Sequence, residues 1–375
     1  MFRVKNKSDG TIERFKARLV AQGFTQQPGT DFNETFAPVV RLNNLRSLLA
    51  YAIQNKLLIH QMDIVTAFLH GHLQEEVYME QPPGYVKEGQ ETLVCLLQRS
   101  LYGLKQSPRC WNDTFCEYMK ELGFTPLKSD CCIVKKEDPL VFIALYVDDI
   151  IPIAENMEVM NSVKSDIARR FPVKDMGPLH YVLGISCVQD DENGKIGLCQ
   201  EMYIDKLVNK FGLTDAVPVS TPSDTNVTLM KYDGISKSVD KSYYQSLVGS
   251  LLYVALSTRP DIQYAVSTIA KYNANPDQSH LTAAKRILRY LKGTKHLMLW
   301  YGQCDDKLIG YSDSDYAHDV DDRHSTSGYV FILGDGAVSW YSGKQKGIST
   351  STAQAEYIAL SHTTKEAVFL RQLLA

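Results

Sequence analysis

The tetrapeptide Tyr146-Val147-Asp148-Asp149 lies between two apolar runs, 140–145 and 150–153, and restricts this chain more than any other segment. Run, turn and run in that order read as a β-hairpin with acid at its tip. Apolar flanks bury the strands, while adjacent carboxylates at the turn offer an oxygen-rich site of the kind that suits Mg²⁺. Asp-Asp in a turn is otherwise ordinary turn chemistry with solvated side chains. A second acid weighs against that plainer reading. Asp63 follows the strand-like run Leu57-Leu58-Ile59-His60-Gln61-Met62 and precedes Thr66-Ala67-Phe68-Leu69. A two-metal phosphoryl-transfer site takes carboxylates from separate elements, because one of them bridges ions roughly 3.5–4 Å apart. Asp63, Asp148 and Asp149 make up such a set.

With 375 residues, 44% of them hydrophobic, the chain can bury one large core and has room for two or three. No run of about 18 apolar residues occurs, and the start Met1-Phe2-Arg3-Val4-Lys5-Asn6-Lys7 lacks a signal peptide's apolar centre. Neither membrane nor secretory routing is indicated, so an intracellular place is expected, in a cytoplasmic particle or the nucleus. The eight cysteines (Cys95, Cys110, Cys116, Cys131, Cys132, Cys187, Cys199, Cys304) show no CxxC pair and no His partner at zinc spacing, which predicts reduced thiols. The net charge of −3 argues against nucleic-acid binding by overall basicity, so local distribution decides. Residues 283–292 read as a helix with Lys285, Arg286, Arg289 and Lys292 on one face, opposite Ile287, Leu288 and Leu291, and with Gly293 to stop it. That face is either solvated surface or a contact for phosphate backbone, which would carry no sequence information.

The segment 11–20 is strand-like, with Lys16 and Arg18 on one face. A helix opened by a capping residue, Asn43 or Asn44, runs to Gln54, and a second covers 107–122 with Trp111, Phe115, Tyr118 and Met119 at core spacing and Gly123 closing it. After the acidic hairpin come a helix over 157–171, a loop over 174–178 and a short strand over 179–187, the order of a mixed α+β domain. Residues 218–243, rich in Ser, Thr, Asp, Pro and Gly, make the best linker. A helical section over 244–290 follows, then strands at 308–312, 327–333 and 337–341 and a helix from about Thr352.

The strings Lys16-Ala17-Arg18-Leu19-Val20-Ala21-Gln22-Gly23, Glu34-Thr35-Phe36-Ala37-Pro38-Val39, Gln61-Met62-Asp63, Ser100-Leu101-Tyr102-Gly103-Leu104-Lys105-Gln106-Ser107-Pro108 and Tyr146-Val147-Asp148-Asp149 resemble, in order and spacing, the reverse transcriptase of copia-type LTR retrotransposons. Leu247-Val248-Gly249-Ser250-Leu251-Leu252-Tyr253 and Thr258-Arg259-Pro260-Asp261-Ile262 resemble its connecting region. Tyr311-Ser312-Asp313-Ser314-Asp315, Ser325-Thr326-Ser327-Gly328-Tyr329 and Ala355-Glu356-Tyr357-Ile358-Ala359-Leu360 resemble its RNase H. The resemblance covers essentially the whole chain. It implies an α+β fold: a right-hand polymerase of fingers, palm and thumb over 1–217, a linker over 218–243, a helical connection over 244–303 and a truncated RNase H-like α/β domain over 304–375.

It implies further that Asp63 and Asp148, assisted by Asp149, hold two Mg²⁺ ions for deoxynucleotide (dNTP) transfer on an RNA or DNA template with a primer. Phe68, five residues beyond Asp63, would lie under the sugar and exclude a 2′-hydroxyl; read without the resemblance it is a core aromatic. Lys16 and Arg18 would hold the triphosphate. Gly103, Lys105, Ser107 and Pro108 would support template and nucleotide, and Lys174 would donate a proton to the leaving pyrophosphate. The rival reading is a decayed or repurposed copy that binds primer–template without catalysis. An unrelated metal-binding hydrolase is a third, disfavoured because no His or Cys ligand cluster accompanies the acids. Oligomeric state is not set by the sequence.

The chain also departs from the family. Fewer residues precede Lys16 than the fingers usually need, Val65 stands where lysine is common, and Pro152 falls in the second hairpin strand, where loss of a ladder donor predicts distortion. Of the RNase H acids only Asp313 and Glu356 are matched, and a half-domain is expected to leave apolar sheet surface uncovered. Two carboxylates are too few to hold two ions for cleavage. The purified chain is therefore expected not to cut RNA in RNA–DNA hybrids; Mg²⁺-dependent cleavage that disappears in Asp313→Asn would overturn this.

Overall fold

The computed structural model describes residues 1–6, 12–232, 234, 239–302 and 307–374. Cys304 and residues 233 and 235–238 of the expected linker lie outside them; the other seven cysteines are free. No helix among the described residues is long and apolar enough to cross a membrane. The chain packs as two compact units, one of residues 1–40 and 60–177, the other of 41–59 and 178–375.

The first unit begins with the antiparallel hairpin of β1 (Phe2–Asn6) and β2 (Ile12–Ala17). Its core is a sheet in the order β10, β3, β9, β8, β7, β6. The strands are β3 (Leu58–Ile64), β6 (Thr125–Pro126), β7 (Ile133–Lys136), β8 (Val141–Tyr146), β9 (Asp149–Ala154) and β10 (Val173–Pro178). The minor pair β4 (Tyr78–Met79) and β5 (Cys95–Leu96) lies outside this sheet. Helices α2 (Ser107–Glu121) and α3 (Met157–Arg170) belong to the same unit. Every residue of β8 but Tyr146, and every residue of β9 but Asp149, is buried. Burial on both faces explains why these strands read as unbroken apolar runs rather than alternating ones. An aromatic cluster of Trp111, Phe115, Tyr118 and Phe171 joins α2 to the end of α3.

Three expectations fail here. Residues 173–178 form the strand β10, not a loop. The first long helix, α1 (Leu42–Gln54), has Arg41 at its N-cap without a side-chain cap bond, so burial of its apolar face defines it rather than an Asn cap. The hairpin is also undistorted by Pro152. Its register runs unbroken from Val141↔Ala154 to Tyr146↔Asp149, with Pro152 opposite Ile143. A two-residue turn makes Tyr146 and Asp149 a hydrogen-bonded pair, so alternation leaves Ile143 and Pro152 a non-bonded one. The missing N–H therefore costs nothing on the β8 side.

In the second unit, β11 (Tyr181–Val182), β12 (Ile185–Asp190), β13 (Lys195–Cys199) and β14 (Leu299–Gly302) form one antiparallel sheet. The single strand expected over 179–187 is split by a turn with Leu183 and Gly184 at positive φ. A second sheet holds β15 (Ile309–Ser314), β16 (Thr326–Leu333) and β17 (Gly336–Lys344), and α8 (Thr352–Leu374) packs on β15 and β16. Helices α4 (Glu201–Lys210), α5 (Lys241–Ser257), α6 (Gln263–Ala270) and α7 (Gln278–Gly293) share an apolar core around Tyr244, Leu251, Val254 and Leu288.

One buried cation ties this unit together. Arg46 of α1 donates to the carbonyls of Leu256 (2.6 Å), Ser257 (2.9 Å) and Val338 (2.9 Å), and its guanidinium lies 3.9 Å from the Trp340 ring centre. Leu256 and Ser257 end α5, where unpaired carbonyls and the helix dipole favour a cation. Burial lowers the Arg46 pKa to about 10, which leaves it charged at neutral pH. Arg46→Met strands these carbonyls, and each buried unsatisfied group costs about 1–3 kcal/mol. Urea unfolding should show this unit destabilised by about 2–4 kcal/mol; a loss below about 0.5 kcal/mol would contradict the role given to Arg46.

Candidate active site

Strand alternation places Gln61 and Asp63 on one face of β3, while His60 and Met62 take the other. Asp148 lies in the hairpin turn and Asp149 opens β9, the neighbour of β3. The backbone N–H of Ile64 donates to the Asp148 carbonyl at 2.8 Å, fixing the turn beside the end of β3. The carboxylates sense one another: burial, then the charges of Asp148 and Asp63, push the Asp149 carboxyl up to about 6, against a 3.5 Å hydrogen bond from Gln61. Among the described residues, the three acids do not bring their oxygens within 4.8 Å of one another. Repulsion between like charges opposes closer approach, and a divalent cation relieves it, so this donor set fits Mg²⁺ chemically.

The turn itself is strained. Val147 has φ +58°, a rare conformation for a β-branched residue. The Trp111 indole N–H donates to the Val147 carbonyl at 2.6 Å, so α2 holds the acidic turn in place.

The strings around Lys16 and Gly103 are interlocked. Ala21 N–H donates to Tyr102 O at 2.8 Å, and Lys105 N–H to Gln26 Oε1 at 2.8 Å. Gly103 has φ +95°, and a Cβ there would meet Ala21 O at 2.1 Å, while one on Gly23 would meet Gly103 O at 2.0 Å. Neither position accepts a side chain. Lys105 Nζ donates to Gln26 O at 3.2 Å and lies 4.8 Å from the Phe32 ring centre, so it braces the loop. Ser107 Oγ donates to Leu101 O at 2.6 Å, and Pro108 is in the first turn of α2.

This interlock presents Tyr102, to which the sequence reading gave no role. The Arg18 guanidinium lies 5.1 Å from its ring centre, and Phe68 meets that ring edge-on at 5.1 Å. Burial raises the Tyr102 pKa, the Arg18 charge and a hydrogen bond with Arg18 oppose this, and Asp148 and Asp63 raise it further, so the phenol senses both the cation and the acids. Arg18 Nε is buried and lacks a hydrogen-bond partner. Lys16, half-buried, lies two residues back on β2.

Behind β3, the buried Lys164 of α3 contacts His60 Nδ1 at 2.7 Å and donates to both Asp175 oxygens at 2.8 and 2.9 Å. Burial raises the Asp175 pKa, but the Lys164 and Gly177 bonds outweigh it and hold the carboxylate below its usual range; burial and Lys164 lower His60. Asp175 therefore faces α3, and alternation along β10 puts exposed Lys174 on the sheet face that carries Asp63.

The cations of α7 hold a stretch of their own chain. Arg286 donates to Asp224 (3.4 Å) and Thr221 (3.0 Å), Arg289 to Val217 O (2.7 Å) and Lys292 to Ala216 O (2.8 Å), while Lys285 lies 5.9 Å from the Tyr243 ring centre. Part of the expected linker thus lies against the basic face. Asp313 on β15 and Glu356 on α8 are both exposed, and the bond joining those elements runs from Thr363 to Ser312 (2.8 Å).

Residues 1–225 match the family model described as reverse transcriptase (RNA-dependent DNA polymerase). The whole chain is 41% identical to part of the retrovirus-related Pol polyprotein from transposon TNT 1-94 of Nicotiana tabacum, covering 29% of it. It is 39% identical to that from transposon RE1 of Arabidopsis thaliana, covering 25%. The putative transposon Ty5-1 protein of Saccharomyces cerevisiae is 34% identical over 81% of this chain and 100% of its own length. The chain thus spans between a quarter and a third of the two polyproteins.

The crowding at Asp149 has a pH signature. Its carboxyl titrates at about 6 in the fold against an ordinary 3.8, so the folded chain binds that proton more tightly. Without added cations, its contribution to stability is full below about pH 4 and is lost as pH rises through about 6. At full effect this is about 3 kcal/mol, reduced by solvent exposure to about 1–2 kcal/mol. Asp149→Asn should flatten stability across this window in urea titrations at several pH values; an unchanged slope would refute the crowding.

Proposed function

Because the chain belongs to the reverse transcriptase (RNA-dependent DNA polymerase) family of copia-type retrotransposon Pol polyproteins, we propose that it extends a primer on an RNA or DNA template with dNTPs. The observation that carries this reading is the convergence of Asp63, Asp148 and Asp149 at adjacent ends of β3 and β9, beside Tyr102, Phe68 and Arg18. Asp63 and Asp148, with Asp149, would hold two Mg²⁺ ions, which when bound activate the primer 3′-hydroxyl and neutralise the triphosphate.

The remaining roles belong to the chain's own residues. Arg18 offers an unsatisfied donor to the triphosphate, and the Tyr102 ring fixes the guanidinium plane. Lys16 adds a second cation from β2. Phe68, held edge-on by Tyr102, forms an apolar floor under the sugar that has no partner for a 2′-hydroxyl, so deoxynucleotides are preferred. Lys174, on the sheet face of β10 that carries Asp63, would give a proton to the leaving pyrophosphate.

The test is primer extension on poly-rA/oligo-dT with the purified chain and Mg²⁺. Incorporation is expected and should fall by at least about 10³-fold in Asp148→Asn, in keeping with the several kcal/mol a catalytic metal supplies. Salt-sensitive primer–template binding without incorporation would overturn this reading in favour of a non-catalytic, nucleic-acid-binding copy.

A further inference from the structure

Two turns flank the acids, and each carries a β-branched residue in the left-handed region. Thr66, three residues after Asp63, has φ +57°, and Val147, directly before Asp148, has φ +58°. Such residues persist in that region only where their neighbours over-determine them. Here the neighbours are shared. Trp111, buried on α2, donates its indole N–H to the Val147 carbonyl at 2.6 Å. His70, which ends the short helical turn Ala67–His70, meets the Val65 carbonyl through Nε2 at 3.2 Å, as donor in its Nε2–H tautomer. The Val65 N–H donates in turn to the Pro172 carbonyl at 2.9 Å, next to Phe171. The rings of His70, Trp111 and Phe171 close a triangle: His70 to Trp111 is 6.2 Å between centroids, Trp111 to Phe171 5.1 Å and Phe171 to His70 5.7 Å, all within the range of favourable aromatic pairs.

One ring cluster therefore grips both the turn after Asp63 and the turn that bears Asp148. The Ile64–Asp148 backbone bond joins the same two segments at 2.8 Å from the sheet side. We propose that Trp111 and His70 are positioning residues that set the separation of Asp63 and Asp148, and through it the affinity of the carboxylates for a divalent cation. Their N–H groups are engaged by the backbone of the two turns, so they act through the place of the acids and not as ligands. This role rests on the reading of Asp63, Asp148 and Asp149 as metal ligands, and assigns what fixes their spacing. Like charges repel. Once either grip is loosened the acids relax apart, and a cation has to draw them together again at a cost in affinity.

The experiment measures Mn²⁺ binding to the full chain by electron paramagnetic resonance, since Mn²⁺ takes the same oxygen ligands as Mg²⁺. Asp148→Asn defines the part of the signal that belongs to the carboxylates. Trp111→Phe and His70→Phe each keep a ring in the cluster and remove the donor. Each should weaken that binding by about 10–100-fold, the usual effect of losing an outer-shell partner. Tyr118→Phe is the matched control. It removes a 2.6 Å bond to the Asp166 carbonyl from a ring packed on Phe171, a bond that ends on α3, and should leave Mn²⁺ affinity unchanged. A merely structural role for Trp111 and His70 would lower thermal stability and spare metal affinity. His70 is half-buried, so His70→Phe decides alone if Trp111→Phe does not fold.

Mn²⁺ affinity unchanged in folded Trp111→Phe or His70→Phe, equal weakening in Tyr118→Phe, or a Mn²⁺ signal that Asp148→Asn leaves intact would overturn the proposal. Primer extension on the same samples separates it from the proposed function. Weakened Mn²⁺ binding in the variants of a chain that incorporates no dNTP sinks the polymerase reading alone, whereas incorporation with unchanged Mn²⁺ affinity sinks only the role of Trp111 and His70.

Discussion

Repulsion among three carboxylates at the ends of two neighbouring strands is the constraint around which the first unit is organised. A site that concentrates negative charge raises the free energy of its own fold, as the high titration point of Asp149 reports. The surrounding structure has to compensate for that repulsion. Burial does this: β8 and β9 are covered on both faces by apolar packing, and only Tyr146 and Asp149 at the turn end are partly exposed. The strained Val147 follows the same logic. A left-handed β-branched residue costs of order 1–3 kcal/mol and persists only where its neighbours over-determine it; here the Trp111 bond and the Ile64–Asp148 bond do so.

Electrostatic order in the site comes from a second constraint, which is steric. Two glycines, Gly23 and Gly103, let two backbone segments approach closer than any side chain would allow. Their contact brings Arg18 and Tyr102 from opposite sides of the interlock onto one another, with Phe68 against the same ring. Arg18 Nε is left without a partner there, and the carboxylates repel one another.

What the sequence made legible follows from periodicity and from fixed motifs. The apolar runs flanking 146–149 announced β8 and β9, and the core-spaced aromatics of 107–122 announced α2, because in both the burial pattern is local. The strand β10 was misread as a loop because Gly177 and Pro178 punctuate it and its partner, β3, lies more than a hundred residues away. Pro152 misled for a related reason: whether a proline breaks a ladder depends on which neighbour its nitrogen faces, and that is a property of register. Tyr102, Trp111 and Lys164 carry their roles through partners at sequence distances of 84, 36 and 104 residues. No window of sequence contains such pairs, though a polar Lys164 among apolar helix positions was a signal that it needed a partner.

The two sets of cations singled out in the sequence differ physically in a way that their composition hides. On α7, Arg286, Arg289 and Lys292 donate to carbonyls, a hydroxyl and one carboxylate of residues 214–224, so a phosphate reaching this face would have to compete with intramolecular bonds that carry no cost of association. Arg18 differs in its surroundings, which supply a ring face; its Nε, like that of Arg286, is buried and lacks a hydrogen-bond partner. A buried donor left unmade costs about 1–3 kcal/mol. Charge alone made α7 the conspicuous candidate in the sequence, whereas packing ties its cations to residues 216–224 and sets Arg18 against the Tyr102 ring.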